Sequence, residues 1–349
     1  MSTVQGTPPT DSPKVEGKEP IFRHFDDPDV TWQKVRHQRE PDGSEGTALE
    51  KWFAFSAEPQ YLSLLAQWTP GMIIRRHGHF CPQMVYVIKG GAWFGDRWCP
   101  EGTHIELPFG AALGPIVGGD DGVTMLEVMI GDPRSWGDQP ELVEKIYADR
   151  GVEPLPEVPL DYPEWLTDLR SHWAGSDGAP IEIPLAEGKE PIFRHLDDPD
   201  MTWQKVRRQR NADGSEATVL EKWFAFSADP QYLSLHAIYS PGMTVRRHGH
   251  FCPHVVYVMA GGAWFGDRWC PEGTHIELPF GAAFGPVRAG DEGCTMYEVM
   301  LGDPRSWGDQ PELFDQVHAE HGTEPLPDVP LDYPPWLEDL RQHWAGATE

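Results

Sequence analysis

Runs such as "KWFAFS" (51–56), "YLSLLAQW" (61–68), "MIIRRHGH" (72–79), "QMVYVIKG" (83–90), "AWFGDRW" (92–98) and "TMLEVMIG" (124–131) mix aromatic, β-branched and polar residues over strand-like lengths. Each is cut off by glycine or proline: Pro70-Gly71, Cys81-Pro82, Gly90-Gly91, Pro100-Glu101-Gly102 and Pro108-Phe109-Gly110. Many short strands at close spacing predict an all-β barrel or double-sheet jelly roll. The pattern then changes. "DQPELVEKIYADRG" (138–151) predicts a helix, and "YPEWLTDLRSHW" (162–173) a short helix after a proline-rich stretch.

The same pattern is written twice. Residues 19–175 align with 190–346 without a gap, at an offset of 171, and differ at 38 of 157 positions. A period this long is no solenoid or propeller unit, so each copy is expected to bury its own core. The predicted organisation is a disordered Ser/Thr/Pro-rich tail at 1–17, a first domain at 18–175, a linker at 176–187 and a second domain at 188–349.

Composition narrows the function classes. A net charge of −27 argues against partners that require a basic surface, namely nucleic acid and anionic membrane. There is no run of about 18 apolar residues, so no membrane span is expected, and the opening residues carry no apolar secretion core. Five cysteines (Cys81, Cys99, Cys252, Cys270, Cys294) make no disulfide framework, which fits a reducing cytoplasm. The expected partner is a small-molecule substrate, with pairing of barrels into a homodimer left open.

The candidate chemistry is histidine-rich. Residues two apart on a strand share a face, so His77 and His79 project to one side, as do His248 and His250. After Pro82 or Pro253 the next strand opens with Gln83 in one copy and His254 in the other. A further histidine, His104 or His275, follows the turn "CPEGTH". Three imidazoles and one more donor inside a small barrel suit a divalent transition metal. Gln83 either ligates or bridges through water, while His254 is the stronger donor. Arg75 and Arg246 share strand parity with the histidines; each is either a cation for an anionic substrate or a surface residue at the barrel mouth. Glu127 and Glu298 in the last strand either face inward as general bases or face solvent. Cys81 and Cys252 read better as buried inert thiols than as ligands. Among positions that differ between the copies, Leu65/His236, Gln67/Ile238, Ile73/Thr244, Leu126/Tyr297 and Gln83/His254 are the most chemical, and Ile73/Thr244 is expected in the pocket wall.

These residues resemble the first cupin motif, G-x5-H-x-H-x3-(E/Q)-x6-G, read as Gly71, His77, His79, Gln83, Gly90 and as Gly242, His248, His250, His254, Gly261. The second motif, P-x-G-x2-H, is matched by Pro100 to His104 and by Pro271 to His275, with the histidine one residue early and Ile105 at the usual place. The resemblance covers both copies and implies a bicupin: two tandem double-stranded β-helix barrels. It implies a metal shell of His77, His79, Gln83 and His104 in one barrel and of His248, His250, His254 and His275 in the other. The glutamate usual in cupins is absent from both motifs, as in glutamate-free cupin dioxygenases of the β-diketone-cleaving type. The leading expectation is therefore a non-haem Fe(II) dioxygenase acting on a small diketone, hydroxyketone or aromatic acid. A redox-silent Mn, Zn or Ni lyase or isomerase and a non-catalytic ligand sensor are the alternatives.

Overall fold

A computed structural model describes residues 14–161, 164, 189–331 and 335. The chain divides into two compact units: Asp26–Asp197, and Met1–Phe25 together with Asp198–Glu349. In the first unit a ten-stranded antiparallel sheet runs Glu153–Pro154, Gln33–Arg39, Glu45–Ala57, Gln60–Trp68, Ile116–Met129, Gln83–Phe94, Thr103–Leu107, Ile192–His195. Ile73–Ile74 and Arg97–Pro100 pair alongside, and His77–Phe80 forms a separate ribbon with Asp132–Gly137. The second unit repeats this order, strand for strand. The all-β expectation holds, and so does the first predicted helix, observed at Pro140–Arg150 and Pro311–His321. The predicted helix 162–173, apart from Glu164, and the linker 176–187 lie outside the described residues. No helix of the described residues is long and apolar enough to cross a membrane.

Which side chains reach the barrel interior follows from register. Gln83, Val85 and Val87 stand opposite Met129, Glu127 and Met125, which in turn oppose Leu62, Leu64 and Ala66. Apart from the two polar residues of that row, these side chains form the buried core with Ile105, Leu107, Phe55 and Trp68. The alternate row, Lys51, Leu65, Leu126, Tyr86 and His104, lies on the other face. Gly90, which closes the first motif, sits at φ +71° beside a register shift, and a Cβ there would strike the Gly122 carbonyl.

The boundaries differ from those of the repeat at one strand in each copy. Ile21–His24, which the duplication assigns to the first domain, pairs with Thr274–Leu278 in the second unit. Its counterpart Ile192–His195 pairs with Thr103–Leu107 in the first. Phe193 thus packs on the first unit's core beside Phe94, with the Arg97 guanidinium over its ring. Of the tail expected to be disordered, the described end is tethered: the Val15 N–H donates to Gly281 O, and Lys14 pairs with Asp309.

Truncating Phe193 should therefore destabilise the unit to which it does not belong in the repeat. Phe193→Ala is expected to cost about 2–4 kcal/mol, somewhat below the roughly 3–5 kcal/mol of a fully buried phenylalanine because the ring is only partly covered. Hydrogen exchange should quicken in Asp26–Asp197 and stay unchanged in Asp198–Glu349; the reverse pattern would disprove the exchanged strand.

Candidate metal and acid–base site

In the first unit the ribbon His77–Phe80 brings two imidazoles together, ring centroids 5.4 Å apart and nearly perpendicular. Gly78 separates them because the Trp136 ring lies against it: a Cβ at Gly78 would fall 2.5 Å from that ring and from Ala111 O. The Trp136 indole N–H donates to His79 O, tying the ribbon's second strand to the motif. Each imidazole is also fixed in tautomer. His77 Nδ1 lies 2.9 Å from Arg75 O and His79 Nδ1 lies 2.8 Å from Pro133 O. Carbonyl oxygens only accept, so Nδ1 carries the hydrogen and Nε2 keeps its lone pair. Burial pushes the His79 pKa down to about 3, helped by neighbouring His77, and lowers that of His77 too, so both rings are neutral bases.

On the inner face lie Gln83 and Glu127; the counterpart of Gln83 in the second unit, His254, has its ring 4.8 Å from that of His250. Gln83 Nε2 donates to Glu127 Oε2 at 2.7 Å, which leaves Gln83 Oε1 buried with no hydrogen-bond partner. Burial raises the Glu127 pKa to about 8, reinforced by the nearby Glu50 carboxylate and opposed by the Gln83 bond. Glu50, which the sequence did not single out, is held by the Trp52 indole N–H at 2.9 Å.

In the second unit the same positions carry His248, His250, His254 and Glu298. His248 and His250 are tethered through Nδ1 to Arg246 O and Pro304 O at 2.9 and 2.8 Å. Burial draws the pKa of both His250 and His254 down to about 3. His254 Nε2 faces Glu298 Oε2 at 3.1 Å, the place that Gln83 Nε2 takes beside Glu127. Burial raises Glu298 to about 7, and its carboxyl in turn helps burial lift Glu221 to about 7.

His104 and His275 do not join either group. His104 stands opposite Tyr86 and Arg194, and His275 opposite Tyr257 and Arg23, on the face away from Gln83 and His254. The inward side chains at that level are Ile105 and Ile276. The expected spacing P-x-G-x2-H is met instead by Pro108-Phe109-Gly110-Ala111-Ala112-Leu113, with leucine in the histidine's place. Its counterpart ends in Phe284. Leu113 forms a backbone bridge with His77, and Phe284 with His248. The Phe284 ring packs 4.6 Å from the His248 ring and 5.8 Å from that of His254. The turn Pro108-Phe109-Gly110 was visible in the sequence; the missing histidine hid its meaning.

The arginines also sit elsewhere. Arg75 and Arg246 fall in breaks between strands, exposed, with a guanidinium 3.5 Å from Ser135 and Ser306 respectively. Strand parity therefore does not carry from them to the histidines. Of the five flagged differences, only Gln83/His254 faces the barrel interior. Leu65 opposes Leu126, and His236 opposes Tyr297, on the outer face. Ile73 packs with Val117 and Val152 under the helix Pro140–Arg150. All five cysteines are free and buried, as read from the sequence.

The three-histidine shell is thus absent, and the two units differ in what replaces it. Among the described residues no group of three or more His, Cys, Asp or Glu side chains is arranged to hold a metal ion. The first unit nevertheless offers three uncommitted donors of a suitable kind: His77 Nε2, His79 Nε2 and the unpartnered Gln83 Oε1. In the second unit an aromatic ring is packed onto the histidines.

The chain matches no protein-family model and no curated protein sequence. Solved structures do match. One, from Nostoc punctiforme and provisionally assigned as a dioxygenase, has a TM-score of 0.53 at 14% identity, covering 84% of this chain and 88% of that one. Another, a variant of oxalate decarboxylase from Bacillus subtilis, has a TM-score of 0.50 at 16% identity, covering 93% and 90%. With the repeated barrels, these likenesses establish a bicupin fold.

The buried acid Glu298 has a consequence for stability. Its proton is retained in the folded chain between about pH 4.5, where the unfolded carboxyl releases it, and about pH 7. The associated stabilisation is complete below the lower value and is lost as pH rises through the upper one. Glu298→Gln, which has no proton to lose, should fall less in stability from about pH 5 to about pH 8. Urea denaturation of metal-free protein measures this; an unchanged slope would show that Glu298 ionises freely.

Proposed function

We propose that this bicupin is a metal-dependent enzyme acting on a small oxygenated substrate, with the metal held in the first barrel by His77, His79 and Gln83. The observation that carries the reading is Gln83 Oε1, a buried acceptor with no hydrogen-bond partner, at the position whose counterpart His254 packs its ring 4.8 Å from His250, together with two imidazoles whose lone pairs are freed by backbone tethers. A buried polar atom without a partner costs about 1–3 kcal/mol, and a cation removes that cost. A bound divalent transition metal would supply Lewis acidity toward a chelating oxygen donor and, as Fe(II), a centre for dioxygen chemistry.

The chain's own residues divide the remaining work. Arg75 O and Pro133 O orient the imidazoles and raise their basicity as donors. Glu127 holds the Gln83 amide so that its oxygen, not its nitrogen, is left over. Leu113, bridged to His77 through the backbone, puts an apolar side chain where the motif's histidine would donate, and so would leave coordination to substrate. An Fe(II) dioxygenase of diketones, hydroxyketones or aromatic acids is the first reading, in keeping with the assignment of the Nostoc protein. The Glu127 carboxyl, facing inward within 2.7 Å of Gln83, favours a second one: proton transfer at a redox-silent Mn, Zn or Ni centre, as in a lyase or isomerase.

Metal content measured anaerobically on the wild type and single variants tests the assignment. His77→Ala is expected to lose the metal, whereas His248→Ala and His104→Gln retain it. Leu113→His, which adds an imidazole opposite His77, should tighten metal binding by about tenfold or more. Metal retained by His77→Ala would refute the site. Oxygen uptake by Fe(II)-loaded protein with β-diketones or hydroxyacetophenones then separates the two chemistries, its absence favouring the lyase.

A further inference from the structure

The second unit has a cleft of about 370 Å³ on the flank of its barrel, between the strands Gln204–Arg210 and Thr244–Val245 and the helix Pro311–His321. Its lining includes Arg207, Arg208, Arg246, Thr244 and His318 and, among the described residues, one carboxylate, Asp328. In a chain of net charge −27, three guanidinium groups around one carboxylate are a marked local reversal. We propose that this cleft binds the oxyanion group, phosphoryl or carboxylate, of a small anionic ligand.

The positive charge there is only partly answered. Arg207 pairs with Asp328 at 3.4 Å, and Arg208 lies a loose 3.8 Å from Glu216. Among the described residues Arg246 forms no ion pair, and its guanidinium lies 3.5 Å from Ser306 Oγ. Two buried donor sites are also unused. Arg208 Nε has no hydrogen-bond partner, nor has Nε2 of His318, whose ring is only 6% exposed. His318 Nδ1 lies 2.6 Å from Thr323 Oγ1; with that hydroxyl donating, the ring hydrogen sits on Nε2, ready for an oxyanion. Arginine forks, a hydroxyl and an imidazole N–H are the donors that recognise such groups.

The duplication supplies an internal control. In the first unit the corresponding residues are Arg36, His37, Arg75, Ile73 and Tyr147. There Ile73 is buried against Val143 and Tyr147, and the Tyr147 hydroxyl donates to Ile73 O at 3.4 Å. His37 is taken up by Glu45 and Pro156 O, and Arg36 pairs with Glu157 at 3.0 Å. Three differences, His37/Arg208, Ile73/Thr244 and Tyr147/His318, thus converge on one place and turn an apolar plug into a basic cleft. None of the histidines of the barrel interior lines it.

Calorimetric titration of the full chain with inorganic phosphate and, separately, with succinate tests the proposal. Two variants accompany it: Thr244→Ile/His318→Tyr, which installs the residues that pack at these positions in the first unit, and Arg246→Gln at an exposed position. The wild type should bind at least one of the two anions, and both variants should weaken it by about tenfold or more. Binding of phosphate alone identifies a phosphoryl ligand, and of succinate alone a carboxylate. Equal affinity in the wild type and both variants, or no binding of either anion, would overturn it.

Discussion

Everything at the centre of each barrel depends on the parity of one antiparallel ladder. The strand Gln83–Phe94 is hydrogen-bonded to Ile116–Met129 on one side and Thr103–Leu107 on the other. Because side chains alternate, placing Gln83 inward also places Glu127 and Ile105 inward and turns His104 outward. One residue of slip would exchange the two rows. The donors that matter are therefore chosen together, by register, and not one at a time by their chemistry.

The same logic explains what could be read from the sequence. Short punctuated strands, the duplication and the pair His77/His79 carry local signals: period two, turn residues and self-similarity. They appear where they were expected. His104 failed because a histidine near a motif position outweighed a parity that only the paired partners Tyr86 and Arg194 reveal. Leu113 was invisible for the opposite reason, since a leucine where a ligand belongs looks like ordinary core. Arg75 was misjudged because the strand is interrupted between Ile74 and His77, and alternation cannot be counted across a break. Glu127 and Glu298 carried both readings in the sequence, and tertiary pairing decided in favour of the interior.

The two copies have diverged at fewer chemical positions than their differences suggest, and in separate layers. Inside the barrels the change is from carboxamide and leucine, at Gln83 and Leu113, to imidazole and phenylalanine, at His254 and Phe284. On the outer face the Leu65–Leu126 pair of one copy corresponds to the cross-strand pair His236–Tyr297 of the other, with Trp203 edge-on to that imidazole. At the flank, isoleucine and tyrosine gave way to threonine and histidine. The additional histidine of the second barrel thus comes with an aromatic ring on its neighbours, so counting imidazoles alone misjudges which barrel is the better metal host.

The exchanged first strands have a consequence for synthesis. Arg194 and Glu106, joined by an ion pair in the first unit, are 88 residues apart, whereas Arg23 and Glu277, their counterparts in the second, are 254 apart. On the ribosome the first unit's sheet is complete soon after its last strand emerges, from one continuous stretch of chain. The other unit's edge strand is made long before its partner Thr274–Leu278 and cannot take its own place until that partner is translated. Closing so long a loop is a late event by its entropy. For that interval Ile21–His24 is an orphan strand whose near-twin, Ile192–His195, belongs in the other sheet. The gene order itself thus sets up a competition between two identical IFRH sequences for two identical edges, and chain synthesis has to resolve it each time.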